Sequence, residues 1–546
     1  MTVMPAITYT PAPPSTWSDG WSRELPLASA RSKFVVLAVA TALALTFRIG
    51  GLSTYGFSED ELNKLTAIEQ YRAGHFTANA EHPMLMKLAM WASVDVAEAW
   101  NRIAPSGGAM SLETALRLPN AAVGAATTVA LFGVADVLFG GAVAAVVAAI
   151  WAFDVNAIAI NRIGKEDTFL LFFFALAVFC YERAKRDGVD DMPAAQRWYT
   201  ASGAAFGLML ASKYMPHFLG IYAIFNVLTD REPGVNRPHR LRQFGAMAVA
   251  FAIANVAIFL PDTWRYIVDY VRGDMLVHHG YPYAGALYVT DVVVSPLGVP
   301  PTFYLRLLAT KVPIVVLGAA VPGLIEMVRR KSERGFVLLR VLSVLFLVPY
   351  SLMAAKFLRY SLPMLATLDL VAAVGVVSGI GWLLRKQWLS IQTRAAVAAA
   401  ALVVFFGGLA LAQQQAAPFY SLFQNVIGAA VDPRREAFPE QTYDYGVREA
   451  IDAIARVADP SAAVVTDAPA VAAQYLKTNG RPDVSVRSLS GRGITRDTHE
   501  TWVIVQDEHA TFENHLTVGA LAASEQPVMA FHAGEALAAR VFRIVR

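Results

Sequence analysis

Along most of its length the chain alternates between apolar runs and short charged loops, and this pattern changes only near residue 415. The runs last about 18–25 residues, enough to cross a hydrocarbon core of roughly 30 Å at about 1.5 Å per residue. Candidate spans lie near 34–51, 118–138, 141–160, 168–183, 198–213, 215–229, 243–260, 303–327, 336–355, 360–384 and 395–414. The fold class this predicts is an α-helical polytopic membrane protein of about 11 transmembrane helices. It adds interfacial helices in the first extracytoplasmic loop and a small C-terminal α/β extracytoplasmic domain. Residues 83–101 are apolar but hold Lys87, Asp95 and Glu98, and counting them as a crossing would invert every later loop. They read instead as an amphipathic helix lying at the outer surface. Beyond 415, "AAVVTDAP" and "TWVIVQDE" read as short buried strands, while "YGVREAIDAIARVA" and "APAVAAQYLKTNG" read as helices, the second ended by Gly480.

Loop charge orients these spans. "RAKRDGVDDMPAAQR", "DREPGVNRPHRLR", "RRKSER" and "RKQWLSIQTR" each carry three or more Lys or Arg and are expected on the cytoplasmic side, with the N-terminus. Eleven crossings then put the C-terminus outside. Residues 1–33 form a flexible, Pro-rich cytoplasmic leader with no apolar segment ahead of a cleavage site, so no removable signal peptide is expected. A transmembrane domain follows over 34–414, its first extracytoplasmic loop at about 52–117, and a soluble α/β domain occupies 415–546. With 55% hydrophobic and 16% charged residues the chain falls outside the soluble enzymes, and a net charge of +3 gives no basis for a nucleic-acid partner. Cys180 is the only cysteine, which excludes an intramolecular disulfide and a Cys-based metal site. One cysteine, a Pro-rich leader and Ala/Val-rich spans look bacterial, and the membrane would then be the inner (plasma) membrane.

The candidate chemistry lies in two loops placed on the same extracytoplasmic face, "FSEDELNK" (57–64) and "NRIGKED" (161–167). Ser58 and Glu61 form the S-x-x-E capping box of a helix, and acids in a first turn complement the helix dipole. That accounts for Glu61 and in part for Glu59, but not for a second acidic loop on the same face. From Tyr71 the chain runs "YRAGHFTANAEHPMLMKLAMW". Asp60-Glu61, Tyr71, and His82-Pro83 followed by Leu85 and Lys87 resemble the first extracytoplasmic loop of the protein O-mannosyltransferases. These belong, with the lipid A aminoarabinose transferases, to the GT-C class that uses polyprenyl-phosphate sugars. Met84 stands where that family has a second proline. "RLPNAAVG", "NRIGKEDTFLLFF", "GLMLASKYMPHF", "KFLRYSLP" and "PFYSLFQNVIGA" resemble later landmarks in the same order, covering about residues 34–430.

The resemblance implies a transmembrane catalytic domain and an inverting glycosyltransferase. It would move a sugar, mannose or a related one, from a polyprenyl-phosphate donor to an acceptor hydroxyl on a protein, lipid or glycan. The donor's tail would stay among the membrane lipids. Asp60 would be the general base and Asp167 would position the acceptor or sugar. Arg162 and Lys213 would hold the phosphate. Glu61 reads both as a helix cap and as a residue of the substrate site, with His82, Lys87, His278, His279 and Arg359. Arg265, Arg272, Arg306, Lys311 and Lys356 either reach the interface as ordinary helix-end cations or face the phosphate. Glu166 has no counterpart in the family and reads as solvated. Because the donor is a phosphodiester, cations can stabilise the leaving group without an obligatory metal. No cofactor is required, and a divalent metal stays open, for instance at Glu81-His82. The alternative is a transporter or lipid flippase, which would place its ionisable residues near mid-membrane on broken helices in two corresponding halves. The acids here cluster at helix ends in the first third of the chain.

Overall fold

The computed structural model describes residues 29–104, 107–187, 192–229, 237–272, 280–290, 294–490, 494, 499–524 and 526–545. The helices of the first half are α1 (Ala30–Ile49), α2 (Glu59–Arg72), α3 (Leu85–Ile103), α4 (Leu112–Leu138), α5 (Gly141–Phe153), α6 (Val155–Asn161), α7 (Asp167–Asp187), α8 (Met192–Ser212), α9 (His217–Thr229), α10 (Arg237–Ala254) and α11 (Pro261–Arg272). After the hairpin β1 (Tyr281–Tyr283) and β2 (Ala286–Tyr288) come α12 (Phe303–Lys311), α13 (Ile314–Arg329), α14 (Arg334–Leu352), α15 (Leu362–Leu384) and α16 (Ile391–Ala416).

The apolar runs of the sequence are largely helical, but among the described residues length and composition qualify five helices to cross a membrane, or seven if two bent pairs each count as one span. The pairs break for visible reasons. Asp154 ends α5 and caps α6, its Oδ1 accepting from the Asn156 and Ala157 amides, and the axis turns by 61°. Pro313 precedes α13 and keeps Val312 extended, so α12 and α13 meet at 116°. The main core is built from α4, α5, α7, α9, α14 and α15 around Trp151, Phe174, Phe218 and Phe346. On α16, by contrast, Val403 and Val404 are 72% and 68% exposed, as side chains facing lipid would be. Glycines bring α13 against α15: a Cβ at Gly375 would strike the Ala319 carbonyl, and one at Gly323 the Val371 carbonyl. Gly375→Val is therefore expected to cost about 1–3 kcal/mol or more through overpacking, read as a lower unfolding midpoint in detergent.

The C-terminal segment contains α17 (Val426–Val431), α18 (Val447–Val457), β3 (Ala463–Val465), α19 (Pro469–Thr478), β4 (Ser485–Arg487), β5 (Glu500–Val505), α20 (His515–Ser524), β6 (Met529–Ala533) and β7 (Ala536–Val545). The strands anticipated around 462–469 and 501–508 are β3 and β5, the helices α18 and α19, and Gly480 follows α19 with φ +68°. The sheet order is β4-β3-β5-β7-β6, parallel across β4-β3-β5 and antiparallel across β5-β7-β6. Its core is not its own. Ile451, Ile454, Val464 and Trp502 share one cluster with Phe57, just ahead of α2, and with Leu62, Ile68, Met86 and Met90 of α2 and α3. Residues 85–103 are helical as expected, with the buried Met86, Met90 and Val94 in that cluster.

Candidate active site

Ser58 starts α2, and the reciprocal box is present, with the Ser58 amide donating to Glu61 Oε2 at 3.0 Å. A helix displays successive residues in different directions, so the three acids of its first turn diverge. Glu59 is exposed, Asp60 is 45% exposed at its side chain, and Glu61 is fully buried. Glu61 is committed to a buried ion pair. Its two oxygens hold Arg117 at 2.7 and 2.6 Å, and Oε1 also accepts the Gly164 amide at 3.1 Å. Arg117 donates its remaining N–H groups to the Leu52, Tyr55 and Gly56 carbonyls. The pair fixes the turn into α2 and reaches no solvent.

The two acidic loops do meet, through exchanged charges. Lys165 pairs with Asp60, and Lys64 pairs with Glu166 at 2.9 Å, so each loop supplies a cation to the other's acid. Like charges alone would have kept the loops apart. Glu166 is thus buried rather than solvated. Burial would raise its carboxyl, yet His82, Lys64 and Lys165 together hold it well below the usual range. Asp167, the first residue of α7, pairs with Lys213 at 2.8 Å, and its second oxygen, buried, has no hydrogen-bond partner among the described residues. Lys213 lies 4.8 Å from the centre of the Tyr360 ring. Arg359 stands over Phe357 and Tyr360 at 4.2 and 5.4 Å and bonds Glu440 at 3.3 Å. Glu440 also accepts from the Tyr281 hydroxyl at 2.7 Å.

Burial brings the Lys165 ammonium down to about 7, with Arg359 adding to the effect and Glu166 and Asp167 opposing it. His82 lies with its Nε2 3.9 Å from Glu166 Oε1. Burial, reinforced by Lys64, Lys213 and Lys87 and opposed by Glu166, pulls its imidazole well below the ordinary value.

Two further candidates bond backbone carbonyls. Arg162 does not face the acids: it donates to the Phe47, Arg48, Gly50 and Gly51 carbonyls and lies over Tyr420, tying off the end of α1. Lys87 is completely buried and donates to the Asn79 and His82 carbonyls at 2.6 and 2.9 Å, which shapes the loop carrying His82. Lys311 and Lys356 are likewise committed internally, to Gln441 and to the Val299 and Met353 carbonyls. Arg265 pairs with Asp262 on its own helix. His278 and His279 lie outside the described residues. Glu81 and His82 do not form a three-donor metal group; among the described residues that arrangement occurs only at Asp444, Glu508 and His509.

Sequence reasoning missed Lys64 and Lys165, although both stand inside the quoted loops. It also missed the contribution of the C-terminal segment. The Glu59 amide donates to Asp444 at 2.8 Å, the Phe57 amide to the Tyr475 hydroxyl at 2.8 Å, and Arg448 to the Ser53 and Thr54 carbonyls. The mouth of the site is therefore built from both halves of the chain.

Residues 108–259 match the family described as dolichyl-phosphate-mannose-protein mannosyltransferase. The crystal structure of ArnT from Cupriavidus metallidurans in the apo state is similar with a TM-score of 0.53 at 14% identity, over 94% of this chain and 98% of that one. The structure of the same protein bound to undecaprenyl phosphate gives 0.51 at 14% identity over the same shares. No curated protein matches the chain significantly. The resemblance drawn from the motifs is borne out: part of the chain matches that family, and the chain has the fold of ArnT.

Proposed function

We propose that the chain is an inverting glycosyltransferase that moves a sugar from a polyprenyl-phosphate donor to an acceptor hydroxyl at the extracytoplasmic membrane face. One observation carries this reading. Two carboxylates, the half-exposed Asp60 and Asp167 with its unpaired oxygen, stand among three cations, Lys165, Lys213 and Arg359, at the ends of helices. Such a set suits a reaction that removes a proton from a neutral nucleophile and leaves negative charge on phosphate. ArnT, whose fold the chain shares, has been crystallised with undecaprenyl phosphate, which supports a polyprenyl-phosphate ligand.

In the step proposed, the acceptor oxygen attacks the anomeric carbon from the face opposite the phosphate. The acceptor O–H proton passes to Asp60 as the new C–O bond forms. The bond from the anomeric carbon to the phosphate oxygen breaks, and its electron pair leaves on the polyprenyl phosphate. Lys213, Lys165 and Arg359 stabilise that charge, and Asp167 holds a hydroxyl of the acceptor or sugar. A single displacement inverts the anomeric centre. Lys165 and Arg359 take the place first given to Arg162. The sugar is mannose or a related one, the acceptor a protein, lipid or glycan, and the compartment the outer face of a bacterial inner membrane. Residues 1–33 are assigned to the cytoplasm, 34–414 to the transmembrane catalytic domain, and 415–546 to the extracytoplasmic α/β domain.

The reading is tested by presenting the purified protein in lipid with a panel of radiolabelled polyprenyl-phosphate sugars. Release of sugar from one donor supports it, and inertness toward the whole panel refutes it. A pH prediction follows from Lys165, whose ammonium is complete below about 7 and lost above it. The kcat/KM for donor turnover should decline as pH rises through that value, and Lys165→Arg, charged throughout, should flatten the decline.

A further inference from the structure

We infer that Asp444, Glu508 and His509 form a binding site for a first-row divalent metal ion, Mn²⁺ or Zn²⁺, at the seam between the C-terminal segment and the first turn of α2. Their ligand atoms all lie within 4.8 Å of one another, with His509 Nε2 2.6 Å from Asp444 Oδ1 and Glu508 Oε1 against the Asp444 amide. Asp444 is 5% exposed and the side chain of His509 23%.

A separate observation points to a ligand. Gln506 is 5% exposed and its amide is aimed at both carboxylates, Nε2 lying 3.2 Å from Asp444 Oδ1 and 3.1 Å from Glu508 Oε1. Its Oε1 is buried with no hydrogen-bond partner among the described residues. The two ends of an amide have nearly the same shape, and with a cation between the carboxylates a half-turn of the side chain would place Oε1 beside it as a fourth ligand oxygen. Two carboxylates are held together with a single imidazole, Glu59 is the next acid along, and the nearby Lys165 is already paired with Asp60. One imidazole, two carboxylates and an amide oxygen make a mixed nitrogen and oxygen set, suited to Mn²⁺ or Zn²⁺ rather than to an ion that requires sulfur.

The site's location gives it a consequence. Asp444 Oδ2 accepts the Glu59 amide at 2.8 Å, one residue before Asp60. A bound ion would fix Asp444 and, through it, the start of α2. The assignment does not depend on the transferase reading, and its test involves no sugar.

The test is equilibrium dialysis of the full-length protein in lipid nanodiscs, after chelator treatment, against Mn²⁺ and Zn²⁺ separately, with bound metal counted by mass spectrometry. One equivalent of at least one ion is expected. Glu508→Gln and His509→Ala should each weaken it by at least about 10–100-fold, the loss typical even for residues that only support ligands. The unfolding midpoint of wild type should rise with the ion, while the two variants show no rise. Either variant that keeps the metal-free midpoint of wild type suffices for the comparison. Absence of saturable binding of either ion up to about 1 mM, the weak end of extracellular cation sites, would overturn the assignment. So would full retention of binding in a folded variant.

Discussion

Asp60→Asn should leave the protein folded and lower the rate of sugar transfer by about 10²–10⁴-fold, the range for removing a general base. The amide is nearly isosteric with the carboxylate but cannot accept the acceptor's proton. The structure explains why folding should survive. Asp60 is the half-exposed member of its turn, and the capping box of α2 rests on Ser58 and Glu61 instead. The loss should fall on kcat more than on donor KM, because Lys213 and Arg359 stay in place for the phosphate. An unfolding midpoint close to wild type with transfer nearly abolished would fit the proposal. A variant that still transfers at half the wild-type rate would remove Asp60 from the chemistry.

Arg117→Ala should act in the opposite way, on the fold before the chemistry. The guanidinium makes five hydrogen bonds, two to Glu61 and three to backbone carbonyls, and no part of it is exposed. Removing one partner of a buried pair leaves the other charge unpaired, at about 3–5 kcal/mol. Here three carbonyls also lose their donor. Chemical or thermal unfolding in detergent should show a loss of that size, or the variant should fail to accumulate. Arg117→Lys should recover little, since an ammonium cannot span the fork of Glu61 and the three carbonyls together. If Arg117→Ala unfolded within about 1 kcal/mol of wild type, the ion pair would be of the weak surface kind.

Much of this site was visible in the sequence because the features concerned are local. Apolar runs mark the helices, S-x-x-E marks the start of α2, and the charge of the loops puts "FSEDELNK" and "NRIGKED" on one face. The misjudged residues are those whose meaning depends on distant partners. Lys64 and Lys165 stand inside the quoted motifs, but only folding shows that each neutralises an acid of the other loop. Arg162 occupies the position of a family motif, and from sequence a phosphate ligand and a cap on the carbonyls of α1 look the same. Lys87 is similar, a cation turned inward onto loop carbonyls. The breaks at Asp154 and Pro313 lie within apolar runs, where hydropathy averaged over a window hides a cap or a proline. The contact of Asp444 with Glu59 joins positions 385 apart, which no periodicity can reveal.

In the proposed reaction Asp60 works on a polyprenyl-phosphate sugar held by the cations beside it. Its most direct test is single-turnover release of sugar from the donor, with wild type and Asp60→Asn compared at donor concentrations that saturate both. Asp60→Asn should bind the donor with near wild-type affinity and release its sugar at least about 100-fold more slowly. Equal single-turnover rates at saturation would contradict this.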